Sequence, residues 1–74
     1  MAPLSPQDLE ILNEAVERRR RDEDLETALG RVVRKHGENF DRYVQIIGLL
    51  RDEARREKVD LERAAKRLIR EERG

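Results

Sequence analysis

Few side chains in this 74-residue sequence could act as nucleophiles, bases or metal ligands. The sequence contains no cysteine and a single histidine, His36. His36 has no second histidine with which to bind a metal, and Val33 stands where a Glu-x-x-His motif would need a glutamate. Ser5 is better explained as a helix cap, and Thr27 has no histidine near it in sequence. We therefore predict a non-enzymatic protein with no catalytic residues, no metal or cofactor site and no small-molecule substrate.

Charged side chains are the other groups that could bind a partner, since Asp, Glu, Lys and Arg make up 46% of the residues. The 17 basic and 17 acidic residues cancel, which argues against a polycationic nucleic-acid arm. Acidic residues flank the run Arg18–Arg21, which we interpret as a solvated, self-neutralised stretch, with phosphate or acidic-partner binding as the alternative. Residues 22–38 carry 5 acidic and 3 basic residues, and residues 61–74 carry 3 and 5, so local patches of either sign remain.

Helices must position these side chains, because the apolar residues recur at helical spacing and no strand-like alternation occurs. Capping residues indicate the helix starts, at Ser5, Asp24, Asn39 and Asp60. A change in the phase of the apolar stripe predicts a bend near residues 21–23, and Gly37 should end the second helix beside a cation-capable His36. We predict an all-α bundle of three to four short helices in one domain, residues 1–74, with helices at about 6–20, 25–36, 40–57 and 61–72.

The third helix is the most apolar part of the sequence, and its apolar face is our candidate protein interface. The interface candidates are Phe40, Tyr43, Ile46, Ile47, Leu49 and Leu50. Gly48 lies among them and costs roughly 1 kcal/mol if it is inside a helix. A turn at 48–51 is the alternative, since glycine is also common in turns.

Two short segments of residues 22–56 resemble known DNA-binding and chromatin modules. Residues 33–40, Val-Arg-Lys-His-Gly-Glu-Asn-Phe, resemble the corner between the first two helices of Myb/SANT domains, where an aromatic at the position of Phe40 belongs to the core. Residues 41–48, which end Ile-Ile-Gly, are similar to the Fis-type helix-turn-helix. The resemblance implies a tri-helical, homeodomain-like fold with a recognition helix beginning near Arg51. DNA contacts would then come from Arg51, Arg55, Arg56 and Lys58.

The sequence departs from both patterns. Arg21 stands where Myb-type domains carry a tryptophan, and Leu49 and Leu50 fill the place of a polar helix cap. The would-be recognition helix carries mixed charge, which suits the protein-binding habit of SANT-type domains better than DNA binding. A turn at 48–51 would support the tri-helical arrangement, and an unbroken helix from residue 40 to 57 would argue against it.

Two classes of function follow. The first is a helical interaction module that binds a copy of itself or another protein, because the apolar face of residues 40–54 exceeds what short helices can cover. The alternative is a DNA-binding helix-turn-helix protein, and a lesser alternative is a designed or orphan bundle without a function.

No run of about 18 apolar residues and no signal-peptide pattern occurs, so we expect a soluble, cytoplasmic protein without membrane contact. The arginine-rich, cysteine-free composition is compatible with thermostability.

Overall fold

Four α-helices form the part of the chain that this computed structural model describes, residues 4–73, with Arg73 described by its backbone alone. Helix α1 spans Pro6–Arg18, α2 spans Leu25–Lys35, α3 spans Phe40–Glu57 and α4 spans Leu61–Arg73. No strand occurs in residues 4–73, and the predicted all-α class is confirmed. The helix ends differ from the expected ones by at most two residues, and the ends of the predicted domain, 1–3 and 74, lie outside the described residues.

All four helices begin at a polar side chain that accepts a hydrogen bond from the amide three residues later. The pairs are Ser5 with Asp8 at 3.1 Å, Asp24 with Thr27 at 2.8 Å, Asn39 with Arg42 at 3.3 Å and Asp60 with Arg63 at 2.8 Å. These four side chains are the expected caps, each typically worth about 1 kcal/mol. Local hydrogen bonds therefore define where the helices start.

A residue with a left-handed backbone conformation follows the end of both α2 and α3. Gly37 has a φ of 73°, and the amide that follows it donates to the carbonyl of Val33, which closes α2 as predicted. Lys58 has a φ of 56°, and the next amide donates to the carbonyl of Ala54 at 3.1 Å. A lysine is strained in this conformation because its Cβ crowds the following carbonyl, whereas a glycine is not.

Helix α3 runs through Gly48 without a break, so the alternative of a turn at 48–51 is wrong. The residues after Gly48 are mostly strong helix formers, with neither proline nor a capping residue to stop the helix. Among the described residues, a Cβ atom at Gly48 would meet nothing within 4 Å, so Gly48 lies on the open side of α3. The turn on which a tri-helical arrangement of residues 22–56 depends is absent, and the family resemblance itself stays a prediction.

The buried faces of the helices meet in one core. Helix α1 packs against α2 and α4, α3 packs mainly against α4, and α2 and α3 touch less extensively. The fully buried large apolar residues are Ile11, Leu12, Leu29, Ile46 and Leu50. No helix of the described residues is long and apolar enough to cross a membrane.

Two carboxylates are buried with arginine partners that tie α3 to its neighbours. Asp8 is 1% exposed, and its Oδ1 accepts a hydrogen bond from Nη1 of Arg42 at 2.5 Å, which joins α1 to α3. Glu53 is 2% exposed and lies between Arg56 of its own helix and Arg67 of α4. Because a buried carboxylate is costly without a partner, loss of these arginines would leave buried charges unpaired at the contacts of α3 with α1 and α4.

Candidate interaction surface

The first half of α3 exposes two large apolar side chains, Phe40 at 65% and Val44 at 50%. They lie four residues apart, and Gly48 continues the same line along the helix. We call Phe40, Val44 and Gly48 the α3 row. The buried face of α3 includes Ile46 and Leu50 instead, and Val44 is rotated about 160° around the helix from Ile46. The bundle cannot cover both faces, so Phe40 and Val44 of the α3 row are left in solvent.

A groove of about 570 Å³ runs between α2 and α3 beside Phe40. Gly30 of α2 helps to line it, and a Cβ atom at Gly30 would lie 3.7 Å from Cε2 of Tyr43. The rings of Tyr43 and Phe40 have centroids 5.5 Å apart and planes inclined by 32°. Burial raises the pKa of the Tyr43 phenol, and the carboxylate of Glu26 adds to this. The groove therefore has an aromatic wall, continuous with the α3 row, that a partner's side chains could cover.

Ion pairs within the chain neutralise much of the charge around this groove. Nη2 of Arg31 lies 2.9 Å from Oε1 of Glu23, and Nη2 of Arg51 lies 2.6 Å from Oε2 of Glu26. The hydrogen bond from Arg31 holds the pKa of Glu23 below its usual value, and the backbone amide of Arg20 adds to this. Most charges that line the groove are paired in this way, with exposed Arg34 as the exception within residues 4–73. Recognition at the groove would therefore depend mainly on shape and apolar contact.

Half of the predicted interface is buried within the single chain: Ile46 and Leu50 are 0% exposed and Ile47 is 5% exposed. Leu49 is partly buried against the same core. The expectation that these four side chains form a free surface is therefore corrected. They face the core because the neighbouring helices cover a wide face of α3. Of the predicted residues, Phe40 is exposed and Tyr43 is partly exposed.

The predicted nucleic-acid contacts divide into two groups. Arg51 is paired with Glu26, and Arg56 is paired with Glu53. Arg55 and Lys58 are exposed and make no ion pair within residues 4–73. A phosphate would therefore compete with carboxylates of the chain itself for two of the four cations.

One arginine of the run at residues 18–21 has a structural role that the sequence did not reveal. Arg19 Nη2 lies 2.9 Å from both carboxylate oxygens of Glu62 in α4, and Nη1 donates to the carbonyl of Glu23 at 2.9 Å. The Arg19 guanidinium lowers the pKa of Glu62 below its usual value. The interpretation of the whole run as solvated is thus corrected for Arg19, which joins the α1–α2 loop to α4.

Lys35 and His36 both contact Glu14 and so link the end of α2 to α1. Nζ of Lys35 lies 2.8 Å from Oε2 of Glu14, and Nε2 of His36 lies 2.9 Å from Oε1. Hydrogen bonds from Lys35 and then His36 lower the pKa of Glu14 to about 2. No group of three His, Cys, Asp or Glu side chains in the described residues is arranged to hold a metal ion.

Sequence reasoning missed Val44 and Gly48 as surface residues. The signal was present, because Phe40, Val44 and Gly48 recur every four residues and thus follow one line along a helix. The signal was not used because the surrounding residues are also apolar, so several faces of the helix have similar apolar content in the sequence.

Comparisons with protein-family models, with curated proteins and with solved structures find no match for this chain. The fold and the surface define a small all-α protein with an exposed apolar row on its longest helix.

Proposed function

We propose that this protein is a helical interaction module that self-associates through the α3 row and the adjoining groove. The observation that carries the proposal is the exposure of Phe40 and Val44, at 65% and 50%, on one line of α3. Covering neighbouring apolar side chains removes their surface from water, which favours association. A small bundle gains particularly from this, because its own core is limited by its size.

A second copy is the partner that these features favour. Two copies related by a two-fold axis bring the same exposed face together from both sides. The formal net charge of zero removes the long-range repulsion that opposes self-association of a charged protein. An interface of standard size covers about 800 Å² per partner, which is a modest part of the 5172 Å² accessible surface of this chain.

Size-exclusion chromatography with light scattering, from micromolar to millimolar concentration, tests the proposal. We expect the natural sequence to form dimers as concentration rises, and Phe40→Gln and Val44→Gln to remain monomeric. Glu10→Gln, at an exposed position of α1, is the matched control and should associate like the natural sequence. A chain that is monomeric throughout, or polar variants of the α3 row that still dimerise, would overturn the proposal.

DNA binding is the alternative, carried by the exposed and unpaired Arg55 and Lys58 among the described residues. Duplex binding through these cations should weaken steeply as salt increases, because phosphate contacts release counterions. Arg55→Gln and Lys58→Gln should then each weaken binding for every duplex sequence. Absence of binding at low salt would end this alternative without affecting the self-association proposal.

A further inference from the structure

Three residues seven apart lie on the solvent side of α3: Asp41, Gly48 and Arg55. Seven residues make almost two full turns, so the three positions deviate from a straight line by only about 20° per step. Asp41 and Arg55 are roughly 21 Å apart at 1.5 Å per residue, with Gly48 midway between them. This face of α3 therefore carries opposite charges at equal distances from a residue without a side chain.

Both end charges are available to a partner. Asp41 and Arg55 are exposed, and neither makes an ion pair within residues 4–73. The other arginines of α3 differ in this respect, because carboxylates of the chain already bind them: Arg42, Arg51 and Arg56.

We propose that two copies of this chain pair antiparallel along α3, about a two-fold axis at Gly48, so that Asp41 of each copy faces Arg55 of the other. This inference rests on the proposed self-association and specifies its geometry. A two-fold axis through residue 48 places residue 41 opposite residue 55 twice, which gives two equivalent ion pairs. Parallel pairing would instead place Asp41 against Asp41 and Arg55 against Arg55, so charge selects the antiparallel arrangement.

The centre of the interface fits close helix contact. Gly48 has no side chain to separate the two helices, and no atom of the described chain would lie within 4 Å of a Cβ atom added there. An axis at residue 48 sets residues whose numbers add up to 96 (twice 48) opposite each other, so Val44 lies opposite Asp52 of the other copy and Phe40 lies opposite Arg56. Each apolar pair therefore flanks the centre and is covered by α3 of the other copy, not by its own counterpart. A crossing angle near 20°, common for packed helices, keeps both ends within reach of their partners. Antiparallel pairing also sets the positive end of each helix dipole beside the negative end of the other.

Charge reversal at the two ends tests the geometry, with dimerisation measured by sedimentation equilibrium. Asp41→Arg and Arg55→Asp should each weaken dimerisation roughly tenfold or more, because two attractive contacts become repulsive. The double variant carrying both reversals restores opposite charges across the axis and should dimerise within about threefold of the natural sequence. Each reversal opposes the helix dipole at its own end, so simple damage to α3 would be greatest in the double variant.

Control variants separate the possible outcomes. Glu10→Arg on α1 and Arg63→Asp on α4 change the net charge equally at exposed positions away from α3 and should leave dimerisation nearly unchanged. Circular dichroism should give every variant the helical content of the natural sequence. If the natural sequence dimerises but the α3 reversals behave like the controls, or the double variant is not restored, antiparallel α3 pairing is refuted while self-association stands. If the natural sequence never dimerises, the proposed function fails as well.

Discussion

Replacing Gly48 by alanine should stabilise the folded monomer and weaken the dimer, two effects of opposite sign. Gly48 lies inside the 18-residue helix α3, where glycine is less favourable than alanine by about 0.8–1 kcal/mol. In the described chain the added Cβ would have no neighbour within 4 Å, so it brings neither a steric clash nor a packing gain. We therefore expect the free energy of unfolding to rise by about 1 kcal/mol, and the melting temperature by roughly 4–8 °C.

In the proposed dimer, the same Cβ would meet its copy on the partner's α3 and push the two helices apart. Dimerisation of Gly48→Ala should therefore be weaker, although the monomer is more stable. Urea unfolding at micromolar concentration, where we expect monomers, measures the first effect, and sedimentation equilibrium at high concentration measures the second.

Gly37→Ala is the matched control, because its φ of 73° makes alanine strained there. It should lower the free energy of unfolding by about 1 kcal/mol. If Gly48→Ala lowers the free energy of unfolding of the monomer, the conclusion that residue 48 is an open position inside a helix is refuted. Stronger dimerisation of Gly48→Ala would refute helix contact at that residue.

Three further predictions concern the fold. Lys58→Gly should raise the free energy of unfolding by about 0.5–1 kcal/mol, measured by urea unfolding, because glycine tolerates the left-handed conformation that ends α3; an unchanged midpoint would contradict this. The pKa of Glu14 is lowered from 4.5 to about 2 by hydrogen bonds from Lys35 and His36, so its contribution to stability is present above pH 4.5 and lost as pH falls toward 2. Glu14→Gln should therefore reduce the loss of stability across that acidic range, and an unaltered pH profile would show that the cluster does not form. Ile46→Ala should cost roughly 2–4 kcal/mol in thermal or urea unfolding because Ile46 is fully buried, and a cost below about 1 kcal/mol would contradict its place in the core.

The helix starts and the fold class could be predicted because their causes are local. Ser5, Asp24, Asn39 and Asp60 each cap a helix through the amide three residues later, and such signals are readable in a short window of sequence. Gly37 ends α2 for an equally local reason, its left-handed backbone. The conformation at Gly48 could not be predicted in this way, because a glycine is compatible both with a turn and with an open position in a helix.

The candidate surface was only partly predictable because burial on α3 depends on its neighbours. Ile46, Leu50 and Val44 are all apolar, and the packing of α3 on the bundle decides that the first two are buried and the third is exposed. The contact of Arg19 with Glu62, 43 residues later, likewise requires the tertiary fold. That residues 41, 48 and 55 share one face could be inferred only once α3 was known to be continuous and open on that side.

Mixing two variants whose own dimerisation should be weakened tests pairing through α3 most directly. Asp41→Arg and Arg55→Asp each place like charges across the proposed axis, but an equimolar mixture places opposite charges at both ends. At a concentration where the natural sequence dimerises and each weakened variant alone is monomeric, we expect sedimentation velocity to show a heterodimer for the mixture. A mixture of Glu10→Arg and Arg63→Asp controls for net charge and should behave like its two components. A charge-reversed α3 mixture that sediments as monomers, under conditions where the natural sequence dimerises, would contradict pairing through α3.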